Sequence, residues 1–194
     1  DSSQNVAVGY EALRMLEPAS AVNSLNVAVG YQAGKLMSTA TRNTIIGALA
    51  GDAMTTGGNN VALGYTSLGS NTIGNTNVAI GDSAMATNVA ADRNVAVGHA
   101  ALFSMTAAST ADHYNTAVGY SAGTSVTSGT FNTLIGGLAG DALTTGSENT
   151  AVGYAALSTE QTHGRNVAVG GNALRDLNAG ANALNTAVGY DAGL

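Results

Sequence analysis

An asparagine recurs eleven times in 194 residues, each time followed by Val or Thr, a small or aliphatic residue, Val, Ile or Leu, and then Gly. The asparagines are Asn5, Asn26, Asn43, Asn60, Asn77, Asn94, Asn115, Asn132, Asn149, Asn166 and Asn185, separated by 21, 17, 17, 17, 17, 21, 17, 17, 17 and 19 residues. A unit this short cannot bury a core alone. It predicts one coil of a solenoid, stabilised by stacking on its neighbours. A longer period of 89 residues overlies the short one: Asn5 to Asn94, Asn26 to Asn115 and Asn43 to Asn132 are all that far apart. NTIIGALAGDAMTTG from Asn43 returns as NTLIGGLAGDALTTG from Asn132. The chain therefore reads as one repetitive domain over 1–194, in which a block at 5–93 is duplicated as 94–184 and followed by a partial coil at 185–194. Duplication of whole coils lengthens a rod without redesigning its core.

With the Asn as position 1, positions 2 and 4 are β-branched or aliphatic, which predicts a short strand whose 2/4 face is buried. Position 3 is Ala in nine copies, with Ile45 and Leu134 in the other two. On this reading it forms a small apolar outer face that a sister chain covers. Position 5 is always Gly: Gly9, Gly30, Gly47, Gly64, Gly81, Gly98, Gly119, Gly136, Gly153, Gly170 and Gly189. That predicts positive φ, or a corner with no room for a Cβ. Position 8 is Ala in ten copies and Ser67 in the eleventh. Each coil is expected to contain two short strands and a polar return. The Asn itself predicts either an amide ladder between coils or a turn.

The expected fold is all-β, a β-solenoid or β-roll of about eleven short coils. The thin core predicts a homo-oligomer. No run of about 18 apolar residues predicts a membrane span, and a formal charge of −6 without a Lys/Arg cluster gives no face for nucleic acid. Only 9% of residues are charged and none is Cys, so stability has to come from stacking or oligomerisation and not from disulfides.

The units NVAVGYEAL, NVAVGYQAG, NTAVGYSAG and NTAVGYAALST resemble the repeats of phage tail-fibre proteins and related bacterial surface-fibre proteins. More distantly, they are similar to the head repeats of YadA-like trimeric autotransporter adhesins. The resemblance covers essentially the whole chain. It implies a trimeric β-roll, extracellular exposure on a cell surface or virion tail fibre, and attachment or stalk duty. A second reading is a self-polymerising extracellular filament, in which terminal coils without polar caps stack head to tail.

Candidate sites are few. Six of the seven tyrosines occupy position 6: Tyr10, Tyr31, Tyr65, Tyr120, Tyr154 and Tyr190. Such a line offers either a glycan platform or packing between coils. Asp52 and Asp141 follow Gly, but one carboxylate is far short of the six to eight oxygens that calcium takes, so turn formation is the expected role. Thr55–Thr56 and Thr144–Thr145 raise an ice-binding reading, yet they occur once per 89 residues. His99, His113 and His163 share no metal or triad spacing, and no G-x-S-x-G or P-loop is present. No catalytic residue, metal or cofactor is expected, and the chain reads as structural.

Overall fold

The computed structural model describes residues 4–16, 24–106, 110–177 and 184–194. Each motif forms one three-residue strand: β1 (Val6–Val8), β2 (Val27–Val29), β3 (Thr44–Ile46), β4 (Val61–Leu63), β5 (Val78–Ile80), β6 (Val95–Val97), β7 (Thr116–Val118), β8 (Thr133–Ile135), β9 (Thr150–Val152), β10 (Val167–Val169) and β11 (Thr186–Val188). They build a single parallel sheet in sequence order, and equivalent positions pair in register, as in Val27 with Thr44 and Ala28 with Ile45. The fold is a β-solenoid.

The phase of the strand is opposite to the expected one. Position 3 faces the interior: Ala28, Ile45, Ala62, Ala79, Ala96 and Leu134 are all fully buried. Positions 2 and 4 point outward, giving an intermediate-buried-intermediate pattern in β2, β5, β6, β7, β9 and β10. The physical reason is space. A 17-residue coil encloses room for small Ala at positions 3 and 8 plus roughly one or two larger side chains. A Val-x-Val face would overfill it.

In most coils the larger side chain comes from one of two places, while the coil of Asn94 buries both Leu102 at position 9 and Met105 at position 12. In the coils of Asn60, Asn77, Asn149 and Asn166, position 9 supplies Leu68, Met85, Leu157 and Leu174. Where position 9 is Gly34, Gly51, Gly123 or Gly140, position 12 supplies Met37, Met54, Val126 or Leu143 instead. The two sites share one volume: a Cβ on Gly34 would lie 2.5 Å from the Met37 sulfur, and one on Gly140 2.7 Å from Leu134 and 2.8 Å from Leu143. Where position 12 does not supply an apolar chain it often caps a turn. Asn71 Oδ1 accepts the Gly74 N–H at 3.0 Å. The buried Glu160 accepts the N–H groups of Gln161, Thr162 and His163 at 2.9, 3.1 and 2.9 Å.

The second segment of the coil is a turn, not the expected strand. Positions 7 and 9 are left-handed in every copy, with φ of 51–59° at position 7 and 48–70° at position 9. Their N–H groups therefore point along the rod in opposite senses. Gln32 at position 7 donates back to the Tyr10 carbonyl at 2.8 Å, and Gly34 at position 9 donates forward to the Ala50 carbonyl at 2.9 Å. Left-handed geometry costs a non-Gly residue about 1 kcal/mol or more; here each such residue receives inter-coil hydrogen bonding in return.

Position 5 combines both reasons expected for its Gly. Its φ lies between 128 and 140° throughout, and a Cβ on Gly119 would sit 2.5 Å from the carbonyl carbon and oxygen of Gly136.

The Asn row is an amide ladder. Asn43 N–H donates to Asn26 Oδ1 at 2.9 Å, Asn60 N–H to Asn43 Oδ1 at 2.9 Å, and Asn77 N–H to Asn60 Oδ1 at 2.9 Å. The second amide function closes the coil, since Asn43 Nδ2 reaches the Gly57 carbonyl at 2.9 Å and Asn132 Nδ2 the Gly146 carbonyl at 2.9 Å. The left-handed residue is the one before the Asn, at position 0.

Candidate interaction surface

Because positions 2 and 4 point out, the sheet presents two uncharged rows along its length, of which row 4 is aliphatic throughout. Val8, Leu63, Ile135 and Val188 are prominently exposed in row 4, while row 2 mixes Val and Thr. Stacked strands about 4.8 Å apart make this face about 50 Å long. Two further exposed rows flank it: row 0, just before the Asn, and row 6, just after the Gly. No Asp, Glu, Lys or Arg lies in rows 2 and 4.

Row 6 contains the six sequence-predicted tyrosines, and the structure does not assemble them into one platform. Tyr10 and Tyr31 stack face to face, with centroids 5.5 Å apart and planes within 10°. Tyr120 stacks on His99 at 5.3 Å. A Cβ added to Gly137 would lie 3.6 Å from Tyr154, and one added to Gly171 3.2 Å from Tyr190, so these rings lie beside the smallest residues of the preceding coils. In the stacked pairs the faces that sugars favour are turned along the rod. All six rings are exposed.

Row 0 holds an aromatic pair that the repeat does not reveal. Tyr114, the seventh tyrosine, stacks on Phe131 at 5.7 Å, and Arg93 lies over the Tyr114 ring at 5.7 Å. Asp112 pairs with Arg93 and accepts the Tyr114 hydroxyl at 3.3 Å. Two coils on, Glu148 pairs with Arg165 at 3.1 Å. The only sequence signal for the stack is two aromatics 17 residues apart.

The remaining candidates take structural positions. Asp52 and Asp141 are partly buried, and desolvation raises both carboxyls above the ordinary aspartate range. Asp141 Oδ1 is buried without a hydrogen-bond partner. Thr55 Oγ1 donates to the Thr72 carbonyl at 3.0 Å and Thr144 Oγ1 to the Gln161 carbonyl at 2.9 Å, while Thr56 and Thr145 are exposed. His113 is buried with Nδ1 2.6 Å from the Ala111 carbonyl, and His163 Nδ1 lies 3.0 Å from Glu160. Among the described residues no three His, Cys, Asp or Glu side chains gather as metal ligands, and no helix is long and apolar enough to cross a membrane. A polar hollow of about 200 Å³ lined by Thr145, Ser147, Glu148, Thr162, Gly164 and Arg165 is below the roughly 300 Å³ of a typical ligand pocket.

Compared with known families, curated proteins and solved structures, the chain shows no match.

Proposed function

We propose that the chain is a structural segment of an extracellular fibre or adhesin, on a cell surface or a virion tail fibre, and that it works as a side-by-side homo-oligomer. Its role is mechanical. Inter-coil hydrogen bonds and the amide ladder stiffen the rod along its axis, and the outward aliphatic rows hold rods together laterally. Variable returns are left for contact with a receptor or surface glycan.

The observation that carries this reading is the outer sheet face: aliphatic in row 4, Val or Thr in row 2, without a charge in either, and continuous over eleven strands. An apolar patch of this length is more than a monomeric protein ordinarily leaves in water. On this reading the interface lies on positions 2 and 4, since position 3 lies inside the coil. The resemblance of the repeats to trimeric surface proteins makes three the expected number of chains.

The test is the mass of the purified chain by size-exclusion chromatography with light scattering, with imaging of the same fractions. A discrete small oligomer supports the fibre segment. A monodisperse monomer overturns the oligomer, and an open-ended polymer replaces it with a self-assembling filament.

A further inference from the structure

Along row 0 the second block departs from the first. Leu25, Arg42, Asn59 and Thr76 return, 89 residues on, as Tyr114, Phe131, Glu148 and Arg165. The backbone is alike in both blocks, with φ of 59° at Arg42 and at Phe131, and 58° and 60° at Asn59 and Glu148. The coil folds with either set of side chains, so its geometry does not account for the aromatic stack or the ion pair of the second block. The two features adjoin. Tyr114 covers one face of Phe131, yet Phe131 is 55% exposed, so its opposite face, turned along the rod toward Glu148, lies in water. Glu148, one coil on, bonds the Thr130 carbonyl through its N–H at 2.9 Å and lines the polar hollow between the returns at 145–148 and 162–165. Its carboxylate and the Arg165 guanidinium meet at 3.1 Å while both side chains stay more than half exposed. The Thr145 hydroxyl in the same hollow has no partner among the described residues.

We infer that this edge of the second block is a glycan-binding site, in which a neutral pyranose sits between the free face of Phe131 and the hollow. This rests on the attachment role proposed above and gives it a place and a ligand class. A pyranose has an apolar face of C–H groups, which packs on an aromatic ring, and a rim of hydroxyls that both donate and accept. A carboxylate beside a guanidinium offers an acceptor and a donor side by side, which suits two neighbouring hydroxyls, and bonds to charged groups are the stronger kind. The hollow is too small to enclose a drug-sized ligand, so the sugar ring lies half in it and half on Phe131. Charge selects against acidic sugars and phosphates: Glu148 already neutralises Arg165, and the chain carries a formal charge of −6. An apolar peptide segment would leave Glu148, Arg165 and Thr145 covered and unpaired, which costs binding energy.

The first block supplies substitutions that the coil accepts: Phe131→Arg, Glu148→Asn and Arg165→Thr. The purified chain is applied to an array of oligosaccharides built from neutral hexoses and N-acetylhexosamines, beside sialylated and uronate-containing ones, and the best neutral probe is titrated by calorimetry. Each of the three substitutions is expected to weaken binding about tenfold, the loss of one contact, with the circular dichroism spectrum of the parent. Tyr154→Ala, in row 6, is expected to bind as the parent does. No binding to any neutral oligosaccharide, preference for the acidic ones, undiminished binding by the three variants, or an equal loss in Tyr154→Ala overturns the site. Light scattering on the same samples reads the oligomer separately, so an oligomeric mass without glycan binding overturns the site and leaves the fibre segment standing.

Discussion

Asn132 hydrogen-bonds Asn115 twice, through its backbone N–H at 3.0 Å and its side-chain Nδ2 at 3.1 Å, both ending on Asn115 Oδ1. The same Nδ2 bonds the Gly146 carbonyl, and Asn132 Oδ1 accepts the Asn149 N–H at 3.0 Å. One side chain thus satisfies buried groups in three coils. Asn132→Ala leaves the Gly146 carbonyl and the Asn149 N–H without these partners, so a loss of about 2–4 kcal/mol is expected. Asn132→Asp keeps an acceptor but loses the donor and buries a charge, and is expected to be worse. Urea unfolding monitored by circular dichroism checks both; an Asn132→Ala midpoint equal to that of the parent would show that the ladder carries no stability.

Neighbouring residues on β7 separate folding from assembly. Ala117 is fully buried and Val118 points outward. Ala117→Asp puts an unpaired carboxylate into the thin core and should prevent folding. Val118→Asp should leave the circular dichroism spectrum intact and reduce the light-scattering mass toward that of one chain. Unfolding by Val118→Asp as complete as that by Ala117→Asp would contradict the outward placement of row 4.

The same pair of residues shows what the sequence did and did not disclose. The period, the Asn row and the Gly at position 5 were legible because one backbone problem is solved identically in every coil. The strand phase was not. Both faces of Val-Ala-Val are apolar, so alternation of polarity is absent, and size alone suggested that Val goes in and Ala out. The decisive signal lay elsewhere: Gly at position 9 accompanies Met37, Met54, Val126 or Leu143 at position 12. That exchange of volume in four coils, though not in the coil of Asn94, where Leu102 and Met105 are both buried, points to a core with little room. The Tyr114–Phe131 stack was hidden for the opposite reason, since it occurs once and no periodicity marks it.

Backbone geometry makes opposite demands on glycine two residues apart. At Gly119, φ is 140° and the Gly136 backbone occupies the place of a Cβ, so Gly119→Ala should cost more than the 1–3 kcal/mol of ordinary overpacking. Ala100, at position 7 of the preceding coil, is held at φ 53°. Ala100→Gly removes a strained Cβ and should stabilise by about 0.5–1 kcal/mol, after allowing for the greater freedom of Gly in the unfolded chain. Thermal midpoints of the two variants should move in opposite directions. Movement of both downward would mean that position 7 is relaxed.

Asp141 gives the rod a pH dependence whose sign is set by burial. Desolvation raises its carboxyl above the ordinary aspartate range, against the lowering effect of hydrogen bonds from the Asp141 and Ala142 N–H groups. With the folded pKa above the unfolded one, the native state holds the proton more tightly, and stability falls as pH rises through the folded pKa. The contribution is most favourable below the unfolded value of about 3.9 and is a penalty at neutral pH. Asp141→Asn keeps the shape and an acceptor for the two N–H groups while removing the charge. Its urea midpoint at pH 7 should exceed that of the parent, and the difference should shrink as the pH approaches about 4. Asp52 is displaced the same way, but the charge of Lys35 one coil back opposes the shift; Asp52→Asn should therefore gain less than Asp141→Asn at pH 7. A fall in the Asp141→Asn midpoint at neutral pH would show instead that the ionised carboxylate is stabilised in the fold.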